Sequence, residues 1–348
     1  MAGAGDLPAG ASIAADDMAA AVEAAVHRRA SRRDQWATLY AVLRANPLTL
    51  IGFVLVAIIS VTGLLVYLVP IVTGLVGHPW TIVPYSIVIP SATKYLPPSF
   101  AHPFGTDSAG RDVFSRVLAA VPVDLSIGLS ITLFALALGG ALGLIAGFWD
   151  TPGTLGGVVS TVILRVTDIF LAFPSLVLAL AIAEVLGRGF VVALFAIAAT
   201  WWPFYVRLVR GEVLSVKGAP FVVAARAAGL SDRKILSRHI VRNIAEPLVV
   251  YYTLDVGSVL ITFSTITFLG IGLPPGTAEW GSMIAAYQSD LAFDPWPTLF
   301  TGLAVFVTVL AFSLLGDGLR DILDPRSRRA LAVTSASAGE LGRSSPAP

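Results

Sequence analysis

Apolar residues in this chain fall into six long runs, at positions 48–69, 127–149, 158–186, 190–209, 247–273 and 296–315, separated by stretches rich in charge, glycine and proline. A helix rising 1.5 Å per residue needs about 20 apolar residues to cross the hydrocarbon of a bilayer. Each run reaches that length and none alternates with the period of two that a membrane strand requires. The pattern therefore predicts an all-α membrane protein with six transmembrane helices. Gly139, Gly140, Gly143 and Pro174 lie inside the runs, which membrane helices tolerate because neighbours re-satisfy the backbone.

The placement of cations orients the spans. With the N-terminus inside, 18 of the 23 lysines and arginines fall on the inner side (counting Arg207, at the inner end of the fourth run), four (Lys94, Arg111, Arg116, Arg188) fall in outer segments, and Arg165 lies within the third run. Cytoplasmic segments are the ones enriched in Lys and Arg, so both termini are expected in the cytoplasm. The intervening pieces then read as follows: a disordered or loosely helical cytoplasmic tail over 1–34, without the features of a cleavable signal peptide; an N-terminal helix and first span over 35–69; an extracytoplasmic loop over 70–126; a five-helix core over 127–326; and a disordered Ser/Ala/Gly/Pro-rich tail over 327–348.

Composition sharpens this picture. Apolar residues make up 56% of the 348 and charged residues 13%, too little polar surface to cover a soluble globule. A net charge of +1 argues against nucleic-acid binding, and zero cysteines exclude disulfides, thiolate metal sites and cysteine nucleophiles. The four histidines (His27, His78, His102, His239) have no metal-ligand spacing. No Gly-x-x-x-x-Gly-Lys-Ser/Thr occurs, so the chain has no P-loop of its own for nucleotide.

The most informative inner segment is 211–243. Pro220 suits a first helical turn, residues 221–228 can form two turns, and Gly229 can take the left-handed conformation that ends a helix. Ser231 is then placed to cap a second helix, whose residues Ile235, Leu236, His239 and Ile240 share one face while Arg233, Lys234, Ser237 and Arg238 lie towards the other. From periodicity and charge alone, this unit suits either a docking helix for a partner or an amphipathic helix on anionic lipid.

Ala224, Ala225 and Gly229 sit at the positions of the Glu-Ala-Ala-x-x-x-Gly pattern, and the segment resembles the cytoplasmic loop of binding-protein-dependent ABC importer permeases. Val223 stands where that family usually has Glu, and Val241 and Arg242 where it usually has Leu-Pro. Further matches point to the dipeptide/oligopeptide/nickel-type C subunits: His102 to Asp107 with Gly110, Arg111, Asp112, Ser115 and Arg116; Arg165 to Ile169 with Ala172 to Pro174; Tyr205 to Glu212; Phe268 to Gly272 with Glu279, Trp280 and Gly281; and Gly316 to Arg326. Ala120 to Pro122, usually Gly-Ala-Arg, departs. The resemblance covers about residues 35–326. It implies a type I permease fold in the inner (plasma) membrane and a heterodimer with a homologous permease. It also implies two cytoplasmic ATPase subunits that carry ATP and Mg, an extracytoplasmic substrate-binding protein, and import of peptides or related small solutes. This chain would bind no cofactor and be no enzyme. The ATPase-coupling residues implied are Phe221, Val223, Ala224, Ala225, Gly229, Ser231 and Asp232.

Charges within the spans are candidates for the translocation path or its gate. Arg165 and Asp168 are three apart on one helix face, where they can pair with each other or line the path. Asp255 has no charge nearby in its own helix and suits a cationic solute group or a residue of a partner subunit. Trp201, Trp202 and Tyr205 read as an interfacial aromatic belt, and Trp280 as a belt residue or part of a re-entrant outer gate. Asp317, Arg320, Asp321, Asp324 and Arg326 read as helix-end and inter-subunit contacts. Two rival classes stay in view. An ion-coupled secondary transporter would call for inverted repeats that the six spans do not display, and an intramembrane hydrolase would call for a nucleophile and base where no span holds a histidine.

Overall fold

A computed structural model describes residues 46–75, 93–187, 189–274 and 276–323. Residues 1–45, which hold the N-terminal tail and the start of the expected N-terminal helix, residues 76–92, Arg188, Pro275 and residues 324–348, which include Asp324 and Arg326, lie outside the described residues. Among the described residues nine helices follow in order: α1 (Pro47–Leu75), α2 (Val113–Phe148), α3 (Leu155–Leu171), α4 (Ser175–Leu186), α5 (Phe190–Lys217), α6 (Pro220–Ala227), α7 (Asp232–Phe268), α8 (Trp280–Tyr287) and α9 (Trp296–Leu323). Among the described residues there is no strand, only a single bridge between Thr106 and Asp112. Five of these helices (α1, α2, α5, α7, α9) are long and apolar enough to cross a bilayer, and α3 with α4 makes a sixth span if the bent pair is counted as one.

Several boundaries differ from the apolar pattern. Helix α1 continues to Leu75, so residues 70–75 of the expected outer loop are helical, and α9 runs on to Leu323, past the end of its apolar run. Helix α2 begins at Val113, 14 residues ahead of its apolar run, so residues 113–126 of the expected outer loop are helical. Asp112 caps that start, its carboxylate accepting from the Ser115 N–H at 2.8 Å. The expected third span is not one rod: α3 stops at Leu171, α4 starts at Ser175 and their axes differ by 86°. Pro174 between them lacks an N–H and restrains the residue before it from helical geometry, so the chain turns instead of kinking. The helix expected after Gly229 is not separate from the fifth span either. Residues 232–268 are one continuous helix of 37 residues, wound as a π-helix over Ile235–Ile240.

Small residues hold the helices together. Gly139, Gly143 and Gly147, one per turn on α2, face α5: a Cβ on Gly143 would lie 2.7 Å from the Val206 carbonyl oxygen and 2.9 Å from the Val209 Cβ, and one on Gly147 would lie 2.8 Å from the Val213 Cβ. This is the spacing by which membrane helices bring their backbones into contact. Beside it, Ala179 and Ala183 of α4 meet Ala193, Ala196 and Ile197 of α5, and Val259, Phe263 and Ile266 of α7 complete the cluster. Helix α1 touches the bundle chiefly through Thr49, Gly52 and Gly63, and its remaining apolar face is exposed, as a lipid-facing surface requires.

Gly143→Leu therefore forces apart two backbones that cannot yield locally, at a cost of about 3 kcal/mol or more. Thermal unfolding in detergent and yield of monodisperse protein should both fall sharply. Gly211→Ala on α5, where a Cβ meets nothing within 4 Å, should leave both unchanged or slightly improved.

Candidate translocation and coupling sites

At the inner end, α6 begins as the sequence suggests, with Pro220 in its first turn, and ends in a hydrogen-bonded reversal. The Gly229 N–H donates to the Arg226 carbonyl at 3.0 Å and the Leu230 N–H to the Ala225 carbonyl at 3.1 Å, while Gly229 takes φ +77°. That six-to-one bond around a left-handed residue is a Schellman cap. The helix is anchored on one side: Val222 and Ala225 are buried against Phe148, Val213, Ile235, Ile240 and Ile244. Phe221, Val223, Ala224, Gly229, Ser231 and Asp232 are exposed. Of the seven coupling candidates, only Ala225 faces inward. Ser231 sits at the start of α7 in an extended conformation but makes no side-chain cap, so its expected role there is not seen. The bond from the Ile235 N–H goes to the Ser231 carbonyl instead, at 3.0 Å.

The charges within the spans find partners on other helices. Arg165 and Asp168 do not pair with each other. The Asp168 carboxylate accepts from Arg207 of α5 at 2.7 Å in an exposed pair, and Arg165 is exposed with no ion-pair partner among the described residues. Asp255 of α7 is held by two neutral donors, the Trp201 indole N–H at 2.7 Å and the Tyr205 hydroxyl at 2.9 Å, both to Oδ2. Trp201 and Tyr205 thus tie α5 to α7, and Tyr205 is fully buried. They do not form the interfacial belt expected of them. Trp202 turns the other way and meets the Phe170 ring edge-on at 5.4 Å.

At the outer end the segment 93–112 is stitched onto α2 and α8. Asp107, fully buried, accepts from the N–H groups of Ala109 and Arg111 at 2.9 Å and from the Arg111 side chain at 2.8 Å. The Tyr287 hydroxyl donates to Asp107 at 3.3 Å and accepts from Arg116 Nε at 3.1 Å. Burial pushes this phenol up to about 12, so it remains a neutral donor. His102 Nδ1 lies 3.0 Å from the Asp112 carboxylate. Glu279 caps α8 with both oxygens, accepting from Gly281 N–H at 2.7 Å and Ser282 N–H at 2.8 Å. Trp280 is buried, its indole donating to the Val117 carbonyl at 3.2 Å, which makes it a core residue of the outer cap and not a belt residue. Gly281 lies so close to Ser264 and Thr267 of α7 that no larger residue fits.

Sequence reasoning missed Tyr287, Arg207 and Asp124. Asp124 is a fully buried carboxylate on α2 that accepts from the Trp280 N–H at 3.2 Å. All three act across more than 35 residues of chain, and no local spacing signals such a partner.

Chain comparisons bear on these features. A family model described as "Binding-protein-dependent transport system inner membrane component" matches residues 139–329. A probable D,D-dipeptide transport system permease protein of Escherichia coli K12 is 38% identical over 303 residues, covering 87% of this chain and 96% of that protein. A glutathione transport system permease protein of Pectobacterium atrosepticum is 40% identical over 229 residues, 66% of this chain and 74% of that one. Among solved structures, the MetNI methionine ABC transporter in an inward-facing conformation superposes with a TM-score of 0.50 at 16% identity, covering 61% of this chain and 98% of that chain. At that identity the likeness concerns the fold.

The outer cap carries one pH-dependent element. Asp294, buried in the segment between α8 and α9, is raised from its ordinary value by burial and by the neighbouring Asp290 and Asp107 carboxylates. A carboxyl with a raised folded value favours the fold below its ordinary pKa near 4, and that contribution is lost as pH rises past the folded value. Asp294→Asn should flatten the fall in melting temperature on going from pH 4 to pH 8 and raise it at neutral pH, as read by thermal unfolding across that range.

Proposed function

The chain belongs to the binding-protein-dependent transport system inner membrane components, and from that premise we propose how it couples and what it carries. It is a multi-pass inner-membrane permease of an ABC importer, a transport protein whose family works with ATPase and substrate-binding partners. Within that assembly the chain pairs with a homologous permease to form half of the translocation path. Two ATPase subunits sit below, binding ATP and Mg, and a binding protein delivers solute from outside. This chain itself holds no cofactor. The solute is a short peptide or a close relative of one, the class named for the dipeptide and glutathione permeases it is similar to.

The observation that carries the coupling reading is α6: a two-turn helix anchored by Val222 and Ala225, with Phe221, Val223 and Ala224 left outward at the inner surface. An apolar, small-residue face of this kind fits a groove on a partner, and the cluster beneath it passes any displacement directly to Ile235, Ile240 and Ile244 of α7 and to Val213 of α5. Nucleotide-driven closure of the ATPases then tilts these spans and exposes the path to one side at a time. Ser231 and Asp232, exposed beside the Gly229 turn, extend the contact. The valine at 223 makes that contact apolar where a glutamate would make it ionic. Asp168, paired with Arg207, and Arg165 lie along the inner half of the bundle as gate residues, and Asp255 lies between α5 and α7 as a path residue.

Gly229 provides the test. A Cβ there meets nothing within 4 Å, so its requirement is the positive φ alone. Gly229→Val should misplace α6, at a backbone cost of about 1–2 kcal/mol. Reconstituted complexes should lose binding-protein-stimulated ATPase activity and uptake while remaining assembled. Gly229→Asn, which tolerates that conformation, should retain most of both. Normal stimulation and uptake by the valine variant would refute the coupling role.

A further inference from the structure

Near the inner ends of α5, α7 and α9 lies a cavity of about 360 Å³ that the coupling reading does not use. Its walls include Val250, Tyr251 and Leu254 of α7, and three ionisable side chains reach it from three helices: Glu212 of α5, Glu246 of α7 and Arg320 of α9. None of the three forms an ion pair or a side-chain hydrogen bond among the described residues. The volume is that of a small-ligand pocket, and the lining is of the usual kind, mostly apolar walls with a few convergent polar groups.

The charge pattern selects among ligands. A phosphate or other simple anion would meet two carboxylates for one guanidinium. A simple cation would leave Arg320 unused beside it. A zwitterion answers both, with an ammonium towards Glu212 and Glu246, a carboxylate towards Arg320 and side chains on the apolar wall. A dipeptide carries its two termini about 7 Å apart, a separation suited to charges displayed on different helices. We propose that this cavity binds a short zwitterionic peptide from the cytoplasmic side, so that imported product occupies it. The proposal rests on the peptide reading above for the identity of its ligand. Because the site spans α5, α7 and α9, an occupant stabilises the arrangement of those helices in which it binds best and slows departure from it.

The test uses the purified transporter with its partner subunits but without binding protein, titrated with Ala-Ala, Ala-Phe and their N-acetyl and C-amide derivatives. Both free dipeptides should bind saturably, and capping either end should weaken binding at least tenfold. Arg320→Gln should weaken the free dipeptides at least tenfold while leaving the C-amides unchanged; Glu246→Gln and Glu212→Gln should do the same with the N-acetyl forms as the insensitive ligands. Absence of saturable binding, or binding unaffected by Arg320→Gln and Glu246→Gln, overturns the site. So does equal affinity for the C-amides, which would make it a plain cation site. Uptake by proteoliposomes supplied with binding protein separates the two readings. Uptake without inner-side binding removes the site and leaves the transport reading. Binding with the stated charge pattern but no dipeptide uptake keeps the site and overturns the peptide solute.

Discussion

In hydrocarbon no hydrophobic force draws one helix to another, because the lipid tails are as apolar as the side chains they would exchange with. What remains is close packing, and in this chain it is concentrated where α2 and α5 meet backbone to backbone along Gly139, Gly143 and Gly147. That seam places Tyr205, Val209 and Val213 at fixed heights against α2. Through Tyr205 it positions the hydrogen bond to Asp255 on α7, and through Val213 it supports the cluster beneath α6.

Helix α7 joins the two faces of the protein. At 37 residues and 1.5 Å each it is about 55 Å long, well over the 30 Å or so of hydrocarbon. Its first turns pack under the exposed inner helix, its middle takes the donors from α5, and its last turn meets Gly281 and the capped start of α8. A load applied at α6 would therefore be received by one helix that reaches the outer cap, although its hydrogen-bond ladder widens at the π turn and lacks a donor at Pro247. Alternating access calls for such a connection between faces.

How much of this was legible in the sequence depended on how local the cause was. The long apolar runs revealed the spans because membrane thickness alone sets their length. The Gly229 turn was legible because its rule operates over a few residues. The start of α2 was hidden by Arg116, Pro122 and Asp124, polar or helix-breaking residues that end an apolar run. Arg116 and Asp124 are buried there because Tyr287 and Trp280, more than 150 residues away, supply their partners. Pro174 was visible but its consequence was not, since tolerance of a proline depends on neighbours that a single chain pattern does not reveal. Arg165 and Asp168 satisfied a spacing rule for pairing, and Arg207 from another helix took the carboxylate instead.

The π-helical turn at Ile235–Ile240 has a consequence for how the two parts of α7 are keyed. An α-helix advances 100° per residue, so the faces of a regular rod are locked together from end to end. A single wide turn accommodates one extra residue and offsets everything after it by about that angle. Ile235 and Ile240, five apart and both fully buried, come onto one side because of it. The face gripping α6 and the face meeting the other spans are thus set independently. A rod that must answer to an aqueous partner at one end and to packed helices at the other carries its own rotational adjustment at the junction.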